Sequence, residues 1–503
     1  MDLFQCAISG FQVIIEPTNL IYCFVGVFIG TLIGVLPGIG PVGAMAILFP
    51  ITFKISPVTA IIMLAGIYYG AMYGGSTTSI LVNIPGEAAS VVTCLDGYQM
   101  ARQGRAGPAL GIAAFGSFIA GSLSLIGLTL LTVPLADTAL KFGPPEKFAL
   151  MSLGLTLVSY LARESMIKAL AMAVLGLMIS FIGLDIIMGE PRFTFDFQEL
   201  LDGIGVVPLV VGLFGISEVL VNVEVEMQQT IIKTPITKLL PSLQDWKDSA
   251  KPILRGSVLG FFIGIIPGAG AILASFVSYA LEKRCSGTPE KFGTGMIQGV
   301  AGPESANNSA VAGGFIPLFT LGIPSNAIMA LLMGAMLIHG VQPGPMLLSE
   351  RPDMFWGVVA SMYVGNAMLL ALNLPLIGLW VQILRVPYRI LFPLILLFCL
   401  IGSYSLNNSI FDVMIMILFG LLGYLMRKCG YEGAPLAMAF ILGPMWETSL
   451  RQSLLMSRGN FSIFLNRPIS AAAFVLTFAL LFSPGLSFFR KKRAALRDLE
   501  REG

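Results

Sequence analysis

The chain is poor in the residues that carry most enzymatic chemistry. Its 503 residues include one histidine, His339, and charged side chains make up only 12%. A single imidazole excludes histidine-rich metal centres, so no metal site is expected. No Gly-Lys dipeptide occurs, which excludes a Walker-type phosphate loop and ATP hydrolysis by that route. Six cysteines (Cys6, Cys23, Cys94, Cys285, Cys399 and Cys429) stand singly, without metal or redox spacing. They imply no disulfide framework and read as small buried hydrophobes. The net charge of +2 carries no nucleic-acid signal. Residues 1–53 hold no Lys or Arg. The opening "MDLFQCAISGFQVIIEP" therefore lacks the basic region of a removable signal and is expected to form an interfacial or packed helix.

What is present is apolar. Hydrophobic residues make up 56% of the chain, in stretches of spanning length from 20–53 through to 470–489. This predicts an all-α integral membrane protein, a polytopic helical bundle of about a dozen crossings at roughly 20 residues each. "LFPLILLFCLIG" and "FVLTFALLF" are apolar on every side, where the strands of a membrane β-barrel would alternate. Charge gathers in islands. Lys233, Lys238, Lys247, Lys251 and Arg255 mark residues 233–255, a basic tail runs from Arg490, and "RQGR" occupies 102–105. All three are expected in the cytoplasm. The implied organisation is a first membrane repeat (1–232), a cytoplasmic linker (233–255), a second repeat with C-terminal helices (256–489) and a tail (490–503).

The repeats show in two breaks. "GTLIGVLPGIG" lies over "GFFIGIIPGAG" with Gly30, Gly34, Pro37, Gly38 and Gly40 matched to Gly260, Gly264, Pro267, Gly268 and Gly270. No basic residue precedes the first break, whereas the second follows the basic island, so the two are expected to enter from opposite sides as inverted repeats. Proline ends a hydrogen-bond ladder, and glycine lets the backbone turn. Within hydrocarbon, the freed backbone groups persist only against protein, water or ligand. Each break is read as the tip of a re-entrant hairpin that builds half of a substrate site near the midplane. A helix restarting there aims its N–H groups at the cavity, which suits a carboxylate. A kinked helix at a close crossing is the alternative. "GIGPVG" matches a dinucleotide fingerprint in form only, since neither strand nor acidic residue accompanies it.

Each break is followed by small polar residues and an Ile-Pro: "GGSTTSILVNIPGEAAS" from residue 74, and "PESANNSAVAGGFIPLFTLGIPSNA" from 303. Ser76, Thr77, Thr78, Asn307 and Asn308 offer donors to an oxyanion and oxygens to a hard cation such as Na⁺. Helix packing also explains serine and threonine. Asn83 belongs to the same set. Glu304 and Glu87 are intramembrane carboxylates able to carry a coupling proton, sit at the water interface, or cap a helix. Thr78 and Glu304 are the ion-coupling candidates. His339 is expected at an interfacial loop.

These motifs, with "GVLPGIGPVGAMAILFP" and the late "ILGPMWETSLRQSLLMSRGNFSIFLNRPIS", resemble in order the large membrane subunit of the tripartite tricarboxylate transporters of bacteria. The resemblance runs through nearly the whole chain. It implies a multi-pass permease of the inner membrane that works with a small membrane subunit and a periplasmic substrate-binding protein. Import of citrate or other di- and tricarboxylates would be driven by an ion gradient, Na⁺ or H⁺, with no other cofactor. The motif positions so implied are Pro37, Gly38, Gly40, Gly74, Gly75, Ser76, Thr77, Asn83, Pro85, Gly86, Pro267, Gly268, Gly270, Glu304, Asn307 and Asn308. Ser325 stands where related chains often have glycine. A stand-alone ion or solute channel and an intramembrane enzyme are the competing classes; the enzyme lacks a reactive dyad.

Overall fold

A computed structural model describes residues 3–36, 40–162, 165–185, 187–224, 239–268, 270–384 and 388–482. The protein is an all-α polytopic membrane protein, and 81% of the described residues are helical. Among the described residues, six helices are long and apolar enough to cross a membrane, and six shorter apolar helices accompany them. The only sheet among them pairs Gly183–Leu184 with Pro191–Arg192. Apolar side chains face outward on the peripheral helices, for example Leu394, Leu397 and Ile401 on Tyr388–Asn407, and Leu418, Leu421 and Leu425 on Ile410–Lys428. In lipid this surface needs no further cover.

Two helices form the centre, Pro57–Val82 and Gln298–Leu321, both buried along almost their whole length. Their sequences are small or apolar on every face, as a helix surrounded by protein requires. Ser56 caps the first by accepting the Thr59 N–H at 3.2 Å, with Pro57 behind it.

Each central helix carries a partner on a glycine seam. A Cβ placed on Gly26, Gly30 or Gly34 of the Pro17–Val35 helix would lie 2.3, 2.5 and 2.3 Å from the carbonyl oxygens of Met63, Ile67 and Ala71. On the Leu243–Ile265 helix, Gly256, Gly260 and Gly264 would meet those of Gly302, Ala306 and Ala310 at 2.4, 2.2 and 2.3 Å. Only glycine permits such backbone contact. The outer helices correspond at one offset (256 − 26 = 230) and the central helices at another (302 − 63 = 239). Contact residues rise together along both helices of each pair, so the paired helices are parallel.

Parallel neighbours require a return segment between them. Residues Gly40–Leu48 and Phe49–Lys54 return the first chain, since Thr59 donates to Asn19 at 2.6 Å at one end and Thr78 to the Val35 carbonyl at 2.7 Å at the other. Gly270–Cys285 returns the second. The Pro17–Lys54 and Leu243–Cys285 segments are therefore helical hairpins. Gly40 and Gly270 restart their helices with φ of 63° and 56°, a conformation open to glycine.

The central helices also end alike, in left-handed residues 239 positions apart: Asn83 (φ 60°) and Gly322 (φ 69°). An Ile-Pro follows each, and then a capping residue. Glu87 accepts from the Ala89 N–H at 2.6 Å before Val91–Arg102, and Asn326 from the Met329 N–H at 3.0 Å before Ala327–Ile338. Arg105 pairs with Asp245 at 2.5 Å, bringing "RQGR" and the basic island to the same end of the molecule. His339 ends its helix beside Thr52, with its ring stacked on Phe53 at 5.8 Å, at the mouth of the first hairpin. The cysteine expectation needs one correction. Cys6, Cys23, Cys94 and Cys399 are buried, but Cys285 and Cys429, at or beside helix ends, are exposed.

Candidate functional site

The two central helices meet the short helix Val91–Arg102 and the long Ala106–Ala139 helix, and most of the polar motif residues converge there. Ser76 projects from Pro57–Val82 toward Gln298–Leu321 and donates to Glu304 Oε2 at 2.5 Å. Thr93 donates to Glu304 Oε1 from the other side. Both oxygens of this fully buried carboxylate therefore accept from neutral hydroxyls. One turn on, Asn307 Nδ2 donates to Glu87 Oε1 at 3.2 Å. Asn308 Nδ2 donates to Ser117 Oγ at 2.7 Å and to the Glu304 carbonyl at 3.1 Å. The helical spacing of Glu304, Asn307 and Asn308 places all three along one side of the central helix.

A small cavity opens beside this cluster, lined by Tyr73, Ser76, Thr77, Ser117 and Asn373 among others. Tyr73 donates to Asn366 Oδ1 at 2.7 Å, and Asn366 in turn donates to the Phe118 carbonyl at 3.0 Å. Ser76, Thr77, Asn307, Asn308 and Glu304 are thus gathered in one buried region, each at most 5% exposed.

Other expected residues take different places. Thr78 is fully buried, and its hydroxyl is committed to the Val35 carbonyl at the end of the first outer helix. Asn83 is exposed, and its left-handed backbone ends the first central helix, apart from Asn307 and Asn308. Gly74 and Gly86 mark backbone contact, since a Cβ would lie 2.3 Å from the Thr31 oxygen and 2.0 Å from the Gly34 oxygen. Gly268 donates its N–H to the Ser325 carbonyl at 2.7 Å, and Gly270 faces Asn326. These contacts bring the second hairpin's tip to the second Ile-Pro turn. Pro37 and Gly38 lie outside the described residues.

Three participants carried no signal of their own in the sequence: Thr93, Tyr68 and Asn326. Tyr68 accepts from Asn326 Nδ2 at 3.0 Å. Position 68 corresponds to 307, and 87 to 326, at the same offset of 239 that relates the central helices. The Tyr68–Asn326 and Asn307–Glu87 bonds are therefore one contact made twice, each from a central helix of one half to the capping residue of the other. A twofold relation between halves produces such reciprocity. Comparing the two Ile-Pro turns residue by residue would have found it.

Outside the membrane-spanning helices, Asp185 accepts from the N–H groups of Ile187 and Met188 at 2.7 and 3.0 Å and from Arg451 at 2.8 Å. These donors hold its carboxyl well below the usual carboxylate range. Arg192 and Glu447 complete the cluster, with Arg192 bonded to Glu447 at 2.7 Å.

The chain is 50% identical over 493 residues to an uncharacterized 52.8 kDa protein in the TAR-I ttuC′ 3′ region of Agrobacterium vitis, covering 98% of each chain. It is 49% identical over 234 residues to an uncharacterized protein in the TAR-II ttuC′ 3′ region of the same organism, covering 46% of this chain and 97% of that one. No solved structure matches. The tripartite tricarboxylate transporter TctA family matches residues 20–438, through both hairpins, both central helices and the Glu87–Glu304 cluster. That is a family of transporter components and not of enzymes. The chain belongs to the tripartite tricarboxylate transporter TctA family, as a multi-pass membrane subunit.

Proposed function

We propose that this chain is the permease of an ion-gradient-driven secondary transporter importing citrate or other di- and tricarboxylates across a bacterial inner membrane. A periplasmic binding protein delivers the substrate, and a small membrane subunit completes the complex. The carrying observation is the pair of reciprocal bonds, Tyr68–Asn326 and Asn307–Glu87, where the turns of two corresponding halves meet at a polar, buried centre. In an inverted arrangement the first hairpin opens to the periplasm and the second to the cytoplasm. The basic residues favour this: Lys283 and Arg284 lie at the mouth of the second hairpin, and Arg105 pairs beside its outer helix. Rocking of one half against the other would expose the centre to each side in turn.

Ser76, Thr77, Asn83, Asn307, Asn308 and the glycine-led helix starts at Gly40 and Gly270 are assigned to substrate, together with Pro37, Gly38 and Gly268. Glu304 is assigned to ion coupling, as is Thr78 on the first central helix. The test is uptake of labelled di- and tricarboxylates by proteoliposomes containing both membrane subunits, with and without the binding protein. Saturable uptake that needs both the binding protein and an imposed Na⁺ or H⁺ gradient is expected. Non-saturating conductance without either would replace the transporter with a channel.

A further inference from the structure

Two carboxylates stand in the buried cluster, and neither has a cationic partner. Glu304 is 0% exposed and Glu87 7%. Among the described residues their donors are all neutral: Ser76 and Thr93 for Glu304, and the Asn307 amide and Ala89 N–H for Glu87. The titratable groups facing Glu87 are Glu304, Tyr68 and Cys94, none of them basic. The Gly270–Cys285 helix packs on Ala88–Ser90 but has basic residues only at its far end, Lys283 and Arg284. A carboxylate buried in this way is strongly disfavoured unless a positive charge joins it.

Asn307 shows where that charge belongs. The residue is 1% exposed; its Nδ2 donates to Glu87 Oε1, while its Oδ1 accepts no hydrogen bond. With Glu87 ionised, the opposite amide orientation would set Oδ1 against the carboxylate; with Glu87 protonated, that orientation lets Oδ1 accept the carboxyl O–H. The amide whose Nδ2 meets the Glu87 carboxylate thus carries a free, buried acceptor oxygen, and carboxylate and carboxamide oxygens are the ligand chemistry of a hard cation.

The related corner supplies the contrast. Position 326 holds asparagine where 87 holds glutamate, and position 68 holds tyrosine where 307 holds asparagine. Its Tyr68–Asn326 bond joins two neutral groups. Charge has been placed in one of two equivalent corners only.

We infer that Glu87 and Asn307 form a monovalent-cation site, for Na⁺ or a proton, in addition to Glu304. Na⁺ would take oxygens from both residues, and a proton on the Glu87 carboxyl would be shared with Asn307 Oδ1. As the coupling ion's site, this rests on the transport reading above, but its occupancy is measurable without substrate.

The experiment uses the purified full-length chain and its Glu87→Gln and Asn307→Ala variants, each checked for a monodisperse elution profile. Thermal midpoints are recorded against NaCl, with choline chloride holding ionic strength, and separately against pH without Na⁺. If Na⁺ is the ion, NaCl raises the wild-type midpoint, Glu87→Gln abolishes the response, and Asn307→Ala shifts its half-maximal concentration upward about tenfold or more. If the ion is a proton, NaCl does nothing, and part of the wild-type pH dependence disappears in Glu87→Gln. Asn307→Ala keeps the carboxylate and so serves should Glu87→Gln fail to fold. The site is overturned if both folded variants reproduce the wild-type Na⁺ and pH responses, or if the wild type has neither response. Carboxylate uptake independent of both ions would keep the transport reading and remove the site. Na⁺ stabilisation lost in Glu87→Gln, without any carboxylate uptake, would do the reverse.

Discussion

Gly260→Ala adds one methyl group where the structure has no room for it. The new Cβ would lie 2.2 Å from the Ala306 carbonyl oxygen and 2.7 Å from its Cα, both backbone atoms of a central helix. Ordinary contact begins near 3.4 Å, so the Leu243–Ile265 and Gln298–Leu321 helices must separate by about 1 Å at the middle of their seam. Gly256 and Gly264, four residues either side, would lose their contacts as well. Overpacking of this kind costs about 1–3 kcal/mol or more. Alanine's better helix propensity returns at most about 1 kcal/mol, so net destabilisation of about 1–2 kcal/mol is expected. Gly378 is the control, a glycine near the start of the Ile377–Ile383 helix with nothing within 4 Å of its Cβ position. Gly378→Ala should be neutral or stabilising by a few tenths of a kcal/mol. Thermal unfolding of both variants in one detergent reads the two signs directly. Equal midpoints, or a Gly260→Ala protein as stable as the wild type, would refute the seam.

Three further outcomes follow from particular contacts. Asn308→Ala should lower carboxylate uptake about 5- to 150-fold while the protein stays inserted, because Ser117 Oγ loses the amide that donates to it; unchanged uptake kinetics would remove Asn308 from the site. Asp185 has a folded pKa below its unfolded value near 3.9, so its stabilisation is present above that value and is lost as pH falls through the folded pKa. Wild-type stability should therefore decline below about pH 4, and Asp185→Asn should be less stable at neutral pH but flatter in acid; parallel curves would contradict this. Asp96 accepts from the N–H groups of Gly293, Gly295 and Met296 at 2.8–2.9 Å, so Asp96→Asn should speed hydrogen exchange across 293–296, and unaltered exchange would show another anchor.

Much of this architecture was legible because membranes restrict what a helix interruption can mean. Gly40 and Gly270 stood out as breaks in apolar surroundings, and both restart helices with positive φ. Ser76, Thr77, Glu304, Asn307 and Asn308 stood out as polarity at membrane depth. The pairing was not legible. Tyr68 sits in an aromatic run that reads as core, and Thr93 in a helix without a motif. The shift from an offset of 230 to one of 239 hid the correspondence of Glu87 with Asn326. The left-handed cap at Asn83 was not legible either, because side-chain chemistry and backbone tolerance both favour asparagine. Of the roles that the sequence offered for Glu87, the structure shows the helix cap, and it also buries the carboxylate against Asn307 of the central cluster.

The inverted relation of the two hairpins is tested most directly at their mouths. Lys54 is exposed where the first hairpin closes, and Cys285 is exposed where the second does. In a background without the other five cysteines, native Cys285 reports one mouth; a Lys54→Cys variant that also lacks Cys285 reports the other. A membrane-impermeant thiol reagent is applied to right-side-out and inverted vesicles, and initial labelling rates are compared. Lys54→Cys should react from the periplasmic side and Cys285 from the cytoplasmic side. Labelling of both from the same side would contradict inversion and, with it, alternating access around the Glu87–Asn307 and Tyr68–Asn326 corners.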